Sequence, residues 1–242
     1  MPTSVAVCQV PDSREDTKTA LQWIHQFSGE ATGRDVSLIA FPECFLQGYL
    51  TDAVQAGKHA LNLYDNAFTA MVQPLAMYSP VIVFGLIEKE DGRLFNTAVV
   101  VKNGVLMGKY RKRHLLSGEK LFTPGDEHPV FVTDDFRFGI NICYDTQFPE
   151  AAAAIAKQGA SLLLCVSNTM MSQKKADHYK DWHVPMRAER AKENNIWLLS
   201  ADVTGRREDR IAYGSASAID PTGIITAQMP FLETGMLVVD IP

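Results

Sequence analysis

Apolar residues come in near-continuous runs along this chain, without the alternation with polar residues that marks a half-buried strand. Runs of this length suit strands that are covered on both faces, as in α/β proteins. The runs extend over residues 36–41, 81–87, 97–101, 162–166 and 196–200. The pattern therefore predicts a sheet with other layers packed on both of its sides.

Between several of these runs, apolar residues recur at the spacing of an α-helix. Behind Ser13, three apolar residues repeat at i, i+4 and i+7: Ala20, Ile24 and Phe27. Ser13 is a favourable N-cap residue and Asp16 follows it three residues later, so we expect a helix to begin there. A second helix is predicted over residues 185–194.

Turn signals divide other segments into hairpins. Asp91-Gly92, Asn103-Gly104 and Pro221-Thr222-Gly223 each separate two segments with strand character. Short connections of this kind join antiparallel strands. Together with the β-α-β order of the early and late regions, they predict mixed sheets flanked by helices. No linker, low-complexity tract or change of composition divides residues 1–242, so we expect a single domain.

Composition narrows the class of protein. The chain has 242 residues, 46% of them hydrophobic, and a formal net charge of -5. This length allows one full core, and the acidic balance argues against nucleic acid as the main partner. No apolar run approaches the roughly 18 residues that span a bilayer, so no membrane association is expected. The first residues lack the features of a secretion signal, and the four cysteines show no C-x-x-C spacing, which predicts a cytoplasmic protein.

One cysteine lies at a sharp change of pattern. Strand character continues up to Cys143, and Pro149 then stands where a helix would begin, with Gly159 as its stop. A thiol at a strand-to-helix turn projects from the end of a sheet, near the positive end of a helix dipole. We expect this position to lower the pKa of Cys143 below its ordinary value of about 8.5. The alternative is a buried structural cysteine, as expected of Cys8 and Cys165.

Two other strand ends carry charged residues. Phe41-Pro42-Glu43 places a carboxylate just beyond a predicted strand, and Lys112 follows the strand that ends at Tyr110. Strand ends are where α/β sheets usually build their sites. Taken singly, Glu43 could be a solvent-facing carboxylate and Lys112 part of a solvated basic loop. His114 is expected to pack or to hydrogen-bond, and the spacing of His, Cys and acidic residues predicts no metal site.

The Glu–Lys–Cys set, in this chain order, resembles that of the nitrilase superfamily of carbon–nitrogen hydrolases. The resemblance covers nearly the whole chain, and its motifs are weak singly but specific in this order. They are Phe-Pro-Glu43, Tyr-Arg-Lys112-Arg-His-Leu, Phe122-Thr-Pro-Gly-Asp126, Ile-Cys143-Tyr-Asp, Phe-Pro-Glu150, Arg187-Ala-Glu-Arg-Ala-Lys-Glu-Asn194 and Gly214-Ser-Ala-Ser-Ala-Ile-Asp-Pro-Thr-Gly223. For residues 1–242 the family implies a single carbon–nitrogen hydrolase domain, folded as a four-layer α-β-β-α sandwich with two mixed sheets.

The resemblance also implies the chemistry of an amidase. Cys143 would attack the carbonyl carbon of the substrate and form a thioester, while Glu43 would transfer the protons. Lys112 and the backbone N–H of Tyr144 would stabilise the oxyanion. Glu119 matches an acidic position that supports the lysine and orients substrate; the alternative is an exposed loop carboxylate. No cofactor and no metal are implied.

Four residues become candidates for contact with substrate by the same resemblance: Tyr49, Gln147, Asn168 and Thr169. Each could equally be a loop residue without ligand contact. Gln147 stands where many relatives carry Arg, so the resemblance weakens the case for recognition of a second carboxylate. Three arginines could supply such a charge from another direction: Arg111, Arg113 and Arg187.

The sequence therefore predicts an amidohydrolase that cleaves a non-peptide C–N bond of a small-molecule amide and releases ammonia or an amine. Tyr-Asp after the cysteine resembles amidase or carbamoylase members, whereas true nitrilases more often carry Trp-Glu. The alternatives are an ω-amidase-like or N-carbamoyl amide hydrolase, a binding protein of the same fold that has lost activity, and a redox protein with an acidic thiol.

A homodimer or higher homo-oligomer is also expected. The predicted helix over residues 185–194 resembles the region that packs across the family's dimer, and Ala188 and Ala191 would allow close approach. The alternative is that these alanines, with Val184, pack on the chain's own sheet.

Overall fold

A large mixed β-sheet organises residues 3–133 and 136–242, which are the residues that the computed structural model describes. Its strands are β1 (Thr3–Pro11), β2 (Leu38–Ala40), β3 (Val81–Glu90), β4 (Arg93–Lys102), β5 (Val105–Arg111), β6 (Val130–Val132), β7 (Arg137–Ile142), β8 (Leu162–Val166), β9 (Met171–Ser172), β10 (Trp197–Arg207), β11 (Arg210–Ala212), β12 (Ser217–Ile219), β13 (Ile225–Gln228) and β14 (Gly235–Ile241). The α-helices are α1 (Thr17–Thr32), α2 (Ala53–His59), α3 (Asn66–Val72), α4 (Pro149–Ala156), α5 (Gln173–Tyr179) and α6 (His183–Asn194), and 3₁₀ helices cover Gln73–Met77 and Cys143–Gln147. The fold is of the α/β class. In the part of the chain that the structure describes, every helix is too short or too polar to span a bilayer.

The sheet has two halves. In the first half β2 and β14 flank β1, and the order continues from β2 through β3 and β4 to β5. In the second half the order is β6, β7, β8, β10, β12 and β13. The halves are joined where Gln9–Pro11 of β1 pair in parallel with Asp202–Thr204 of β10. The central neighbours β1·β2, β2·β3, β7·β8 and β8·β10 are parallel, so their carboxyl ends lie at common edges.

Most of the predicted strands and hairpins are confirmed. The five apolar runs become β2, β3, β4, β8 and β10, and the three turn signals connect antiparallel pairs β3·β4, β4·β5 and β12·β13. Strand β10 is longer than its run, because its polar second part pairs with β1 and then with β11. The helix after Pro149 is confirmed as α4, and Gly159 ends the turn behind it with a φ of 81°.

The first helix begins later than the sequence predicts. Asp16, not Ser13, is the N-cap of α1, since its carboxylate accepts from the backbone N–H of Thr19 at 3.0 Å. The segment before it is a separate tight turn, closed by a bond from the Asp16 N–H to the Ser13 carbonyl and containing Glu15 at a φ of 60°. A residue in such a turn cannot be continuous with the helix. The predicted apolar stripe of Ala20, Ile24 and Phe27 is buried.

Three large groups of apolar residues form the core. One contains residues from both halves of the sheet: Val5, Val7, Leu38, Ala40, Ile140, Ile142, Leu164 and Val166. A second packs the strand residues Ala6, Cys8 and Ile39 against Ile24 and Phe27 of α1. A third packs Leu163, Cys165 and Leu198 against Ile155 of α4 and Val184 of α6. Each half of the sheet is thus buried on both faces, as its non-alternating runs predict.

Helix α6 begins at His183, two residues earlier than expected, and packs on the second half of the sheet. Val184 and Ala191 are buried there and Ala188 packs beside them. The apolar side of this helix therefore covers the chain's own sheet, which agrees with the packing alternative for these residues.

A buried carboxylate ties three strands together close to the end of β5. Glu88 of β3 accepts from the guanidinium of Arg111 at 2.6 and 2.8 Å, from the Thr97 hydroxyl at 2.7 Å and from the ammonium of Lys109. Only 1% of the Glu88 side chain is exposed. Because Arg111 immediately precedes Lys112, this cluster fixes the strand end that carries the lysine.

Replacing Glu88 with Gln is expected to lower the free energy of unfolding at pH 7 by on the order of 3 kcal/mol, since two cations lose a buried partner. Burial alone would raise the pKa of Glu88, but hydrogen bonds from Arg111, Lys109 and Thr97 lower it below its ordinary value. The carboxylate therefore stabilises the fold above the unfolded-state pKa of about 4.3, and this contribution disappears as the pH falls through the lower folded-state value.

Denaturant unfolding of both proteins at several pH values measures this difference. Glu90→Gln is the matched control, because Glu90 pairs with the same Arg111 but is 28% exposed; its effect is expected to stay below about 1 kcal/mol. A difference for Glu88→Gln that does not shrink at acidic pH would contradict the assignment.

Candidate active site

Three side chains meet within one buried hydrogen-bonded group. The ammonium of Lys112 donates to Glu43 Oε1 at 2.7 Å and to Glu119 Oε1 at 2.8 Å. Lys112 and Glu43 are each 1% exposed and Glu119 is fully buried. The alternatives of a solvent-facing Glu43, a solvated Lys112 and an exposed loop carboxylate at Glu119 are therefore wrong.

The turn that carries Glu43 lies directly on strand β3. A Cβ atom at Gly85 would be 2.4 Å from the backbone nitrogen of Cys44 and 2.7 Å from Cα of Glu43, so only glycine permits this approach. On its other side, the Glu43 N–H donates to the carbonyl of Ser167 at 3.2 Å. Backbone contacts from two strand ends thus set the position of the carboxylate.

Cys143 begins the 3₁₀ helix Cys143–Gln147 directly after β7. Its φ of 45° is in the left-handed region, a strained conformation that is typical of a nucleophile on a sharp turn. Cys143 is partly exposed, whereas Cys8, Cys44 and Cys165 are buried. Tyr144 is the second residue of the helix, and N–H groups in a first helical turn have no carbonyl partner inside the helix. The turn therefore presents a thiol and a backbone donor together.

The expected low pKa of Cys143 is wrong in direction. Although the residue is partly exposed, the surrounding protein keeps water from the thiol and so raises its pKa well above the ordinary value. The carboxylate of Glu43 raises this pKa further, whereas Lys112 acts to lower it. The dipole of α4 does not offset these effects on the pKa, because α4 begins only at Pro149 and Cys143 lies in a separate short helix. Cys143 is accordingly a neutral thiol at pH 7 and needs a base.

Glu43 has the properties of that base. Burial raises its pKa above the ordinary value and Glu119 adds to this, while Lys112 and Asn96 act to lower it. For Lys112, burial alone would lower the pKa, but Glu43, Cys143 and Glu119 outweigh burial and raise it. The lysine therefore keeps its charge.

Asn96 is a site residue that the sequence analysis missed. Its side-chain amide nitrogen donates to Glu43 Oε1 at 2.7 Å and to Glu119 Oε1 at 3.3 Å, and its backbone carbonyl accepts from the backbone N–H of Lys112 at 2.8 Å. It is 1% exposed, on β4. An amide side chain next to the apolar run of β4 is the signal that would have found it.

Asp145, in the Ile-Cys143-Tyr-Asp motif, is a second site residue that the sequence analysis missed. Its carboxylate accepts from the backbone N–H groups of Ile142 at 3.0 Å and His114 at 2.8 Å, and from the hydroxyl of Tyr110 at 2.8 Å. It therefore joins the cysteine turn to the segment that carries Lys112. The ring of His114 also bonds to Asp145 and stacks on Phe148 at 3.7 Å, which confirms its expected packing and hydrogen-bonding role.

The four candidates for substrate contact take different places. The ring of Tyr49 lies 6.0 Å from the Lys112 ammonium, and burial together with Glu43 and Glu119 raises the pKa of its phenol. The backbone N–H of Asn168 donates to Glu43 Oε2 at 3.0 Å. The hydroxyl of Thr169, in contrast, donates to Asp202 at 2.9 Å and so belongs to the protein framework. Gln147 is exposed at the end of the 3₁₀ helix.

The three arginines considered as additional charges all have partners within the chain. Arg111 binds Glu88 and Glu90. Arg113 donates to the carbonyl of Asp126 at 2.6 Å, and Arg187 is buried against three serines. Within residues 3–133 and 136–242, His, Cys, Asp and Glu side chains form no group of three placed to hold a metal ion.

Comparison with known proteins shows the family to which the chain belongs. The family model for carbon–nitrogen hydrolases matches residues 4–242, so the chain belongs to that family, within the nitrilase superfamily. It is similar to an (R)-stereoselective amidase from a Pseudomonas species, with 30% identity over 78% of this chain and 67% of the relative, and to a human omega-amidase, with 29% identity over 84% and 75%. An amidase structure from Nesterenkonia, of the nitrilase superfamily, shares the fold with a TM-score of 0.85 and 24% identity over 99% of this chain and 90% of that one. The protein is a hydrolase acting on carbon–nitrogen bonds.

The ionisation of Cys143 can be measured directly. The ultraviolet absorbance of the thiolate, taken as the difference between wild type and Cys143→Ser, is expected to be absent at pH 7 and to appear only above about pH 8.5. Glu43→Gln removes a negative charge that raises the pKa of Cys143, so it is expected to move the thiolate signal to lower pH. A thiolate already present at pH 7 in wild type would contradict the assignment.

Proposed function

We propose that this protein hydrolyses the C–N bond of a small-molecule amide through a thioester on Cys143. The observation that carries the proposal is the Lys112 ammonium buried between Glu43 and Glu119, 2.7 and 2.8 Å from their carboxylates. Together with the Cys143 thiol on the turn after β7, this group supplies a nucleophile, a base with a raised pKa and a fixed cation, which are the three parts that amide hydrolysis needs.

The first half of the reaction forms the thioester. Glu43 accepts the proton of the Cys143 thiol as the sulfur attacks the carbonyl carbon. The negative charge that develops on the carbonyl oxygen is stabilised by Lys112 and by the backbone N–H of Tyr144. Glu43 then gives its proton to the departing nitrogen, the C–N bond breaks, and ammonia or an amine leaves.

The second half releases the acid. Glu43, again a carboxylate, accepts a proton from a water molecule that attacks the thioester carbonyl. The same two donors stabilise the second oxyanion, and collapse of this intermediate breaks the C–S bond and returns the proton to the thiol. Glu119 keeps Lys112 in place throughout, and Tyr49 and Asn168 lie beside the same group.

The architecture proposed for this chemistry is the four-layer α-β-β-α sandwich within one domain. Its support is the core group shared by both halves of the sheet, with α1 packed outside the first half and α4 and α6 outside the second. A homodimer and a cytoplasmic location remain our proposals; four free thiols are in keeping with a reducing compartment.

For the substrate, we propose a small neutral acyl group. Gln147 offers no positive charge at a position where many relatives carry Arg, and Arg111, Arg113 and Arg187 are bound elsewhere in the chain. The amidase and omega-amidase relatives support an amide as the substrate class. Activity toward dicarboxylic acid monoamides or N-carbamoyl compounds is the main alternative.

Cys143→Ala is expected to abolish hydrolysis of butyramide while the protein stays folded, because the side chain is partly exposed on a turn. Mass spectrometry of wild type with a slow amide substrate is expected to show an acyl adduct on Cys143 and not on Cys44. Cys8→Ala removes a core thiol instead and serves as the control, with turnover retained. Turnover that survives in Cys143→Ala would refute the mechanism, and a folded wild type that turns over no amide would favour a binding protein.

Substrate preference is measured as kcat/KM for butyramide against succinamate, a dicarboxylic acid monoamide of the same length. Wild type is expected to prefer butyramide, and Gln147→Arg is expected to shift the ratio toward succinamate by about tenfold, or 1.4 kcal/mol. Gln158→Arg adds the same charge at an exposed position beyond α4 and is expected to leave the ratio unchanged. A wild-type preference for succinamate of more than about tenfold would instead indicate an ω-amidase-like enzyme.

A further inference from the structure

The segment formed by residues 167–169, directly after β8, contacts Glu43 twice. The carbonyl of Ser167 accepts from the Glu43 backbone N–H at 3.2 Å, and the backbone N–H of Asn168 donates to Glu43 Oε2 at 3.0 Å. Lys112 and Asn96 hold the other carboxylate oxygen, Oε1. The orientation of the carboxylate therefore depends on where this segment lies.

A buried aspartate holds one end of the segment. Asp202 of β10 is fully buried and accepts twice from Thr169: from its backbone N–H at 3.0 Å and from its hydroxyl at 2.9 Å. These bonds fix both the backbone and the side chain of the residue next to Asn168.

A buried arginine holds the other end. Arg187 of α6 is 1% exposed and donates to the hydroxyl of Ser167 at 2.9 Å and to that of Ser215 at 2.8 Å. The Ser215 hydroxyl in turn donates to Asp202 at 2.6 Å. One serine hydroxyl thus connects the guanidinium of Arg187 to the carboxylate of Asp202. Because a buried charged group that loses its partner is costly, both groups depend on this connection.

We infer that Asp202 and Arg187 are positioning residues for the carboxylate of Glu43, acting through residues 167–169. The inference rests on the proposed function, in which Glu43 is the general base. Three residues donate to the carboxylate of Glu43. Asn96 lies on the antiparallel strand β4 and Lys112 directly follows the antiparallel strand β5, whereas Asn168 lies in a connecting segment. Strand pairing does not fix the position of this segment, so side-chain contacts must do so. Small displacements of a reacting group are costly in rate, so its support affects turnover.

Asp202→Asn tests the inference with little change of size. The amide has one acceptor oxygen in place of two, so it cannot accept from Thr169 and Ser215 as Asp202 does. With butyramide as substrate, kcat is expected to fall by about tenfold or more while KM stays within about threefold, because the loss is in the transition state. A crystal structure of the variant is expected to show Asn168 withdrawn from Glu43 Oε2.

Arg190→Met is the control for loss of a buried charge outside this network, because Arg190 lies on the same helix as Arg187 but bonds to Glu189 and Glu193. Its kcat is expected to stay within about twofold of wild type. If Asp202→Asn does not fold, Ser215→Ala removes only the bridging hydroxyl and is expected to lower kcat by about threefold with KM unchanged.

Three results would overturn the inference: a folded variant with wild-type kcat, a rise in KM alone, or a crystal structure with Glu43 and Asn168 unmoved. Glu43→Gln separates this outcome from failure of the proposed function. Full turnover in Glu43→Gln would refute the general base itself, and the crystal structure of Asp202→Asn would still decide whether the segment positions Glu43. An inactive Glu43→Gln beside a fully active Asp202→Asn would refute the positioning role alone.

Discussion

The ammonium of Lys112 is the charge on which the arrangement of the site depends. It lies 2.7 Å from Glu43 and 2.8 Å from Glu119, and all three groups are withdrawn from water. Two buried carboxylates this close would not both stay ionised without a cation between them. One ammonium does not fully offset two carboxylates, and the amide of Asn96 supplies the further donor. The residual negative charge and the burial together account for the raised pKa of Glu43, which makes it a stronger base.

The same balance explains the state of the nucleophile. Loss of water and the carboxylate of Glu43 raise the pKa of Cys143 more than Lys112 lowers it, so the thiol stays protonated. Before substrate binds, the proton therefore stays on the sulfur, and the enzyme does not have to hold a thiolate. The reaction can then move the proton to Glu43 only when a carbonyl group is present for the sulfur to attack, which suits an enzyme for amides of low reactivity.

Backbone geometry brings the parts of the site together. Gly85 lets β3 lie against the Glu43 turn, and Asp145 joins the cysteine turn to the Lys112 segment through bonds to backbone N–H groups. The buried pair of Asp202 and Arg187 does the same for residues 167–169. Each of these contacts connects segments that are far apart along the chain. The relative positions of Glu43, Lys112 and Cys143 therefore depend on the packing of the whole sheet.

The sequence by itself determined the main strands, the hairpins and the turn at Cys143, because apolar runs and turn residues act over a few neighbouring positions. It also placed Glu43, Lys112 and Cys143 at strand ends, and resemblance to a family grouped them. Only the tertiary structure decided the rest. The N-cap of α1 is Asp16 and not the expected Ser13, because a separate turn precedes the helix. The direction of the Cys143 pKa and the contacts of Asn96 and Thr169 all depend on partners remote in sequence. Burial and electrostatic interaction act through space, so no local pattern along the chain encodes them.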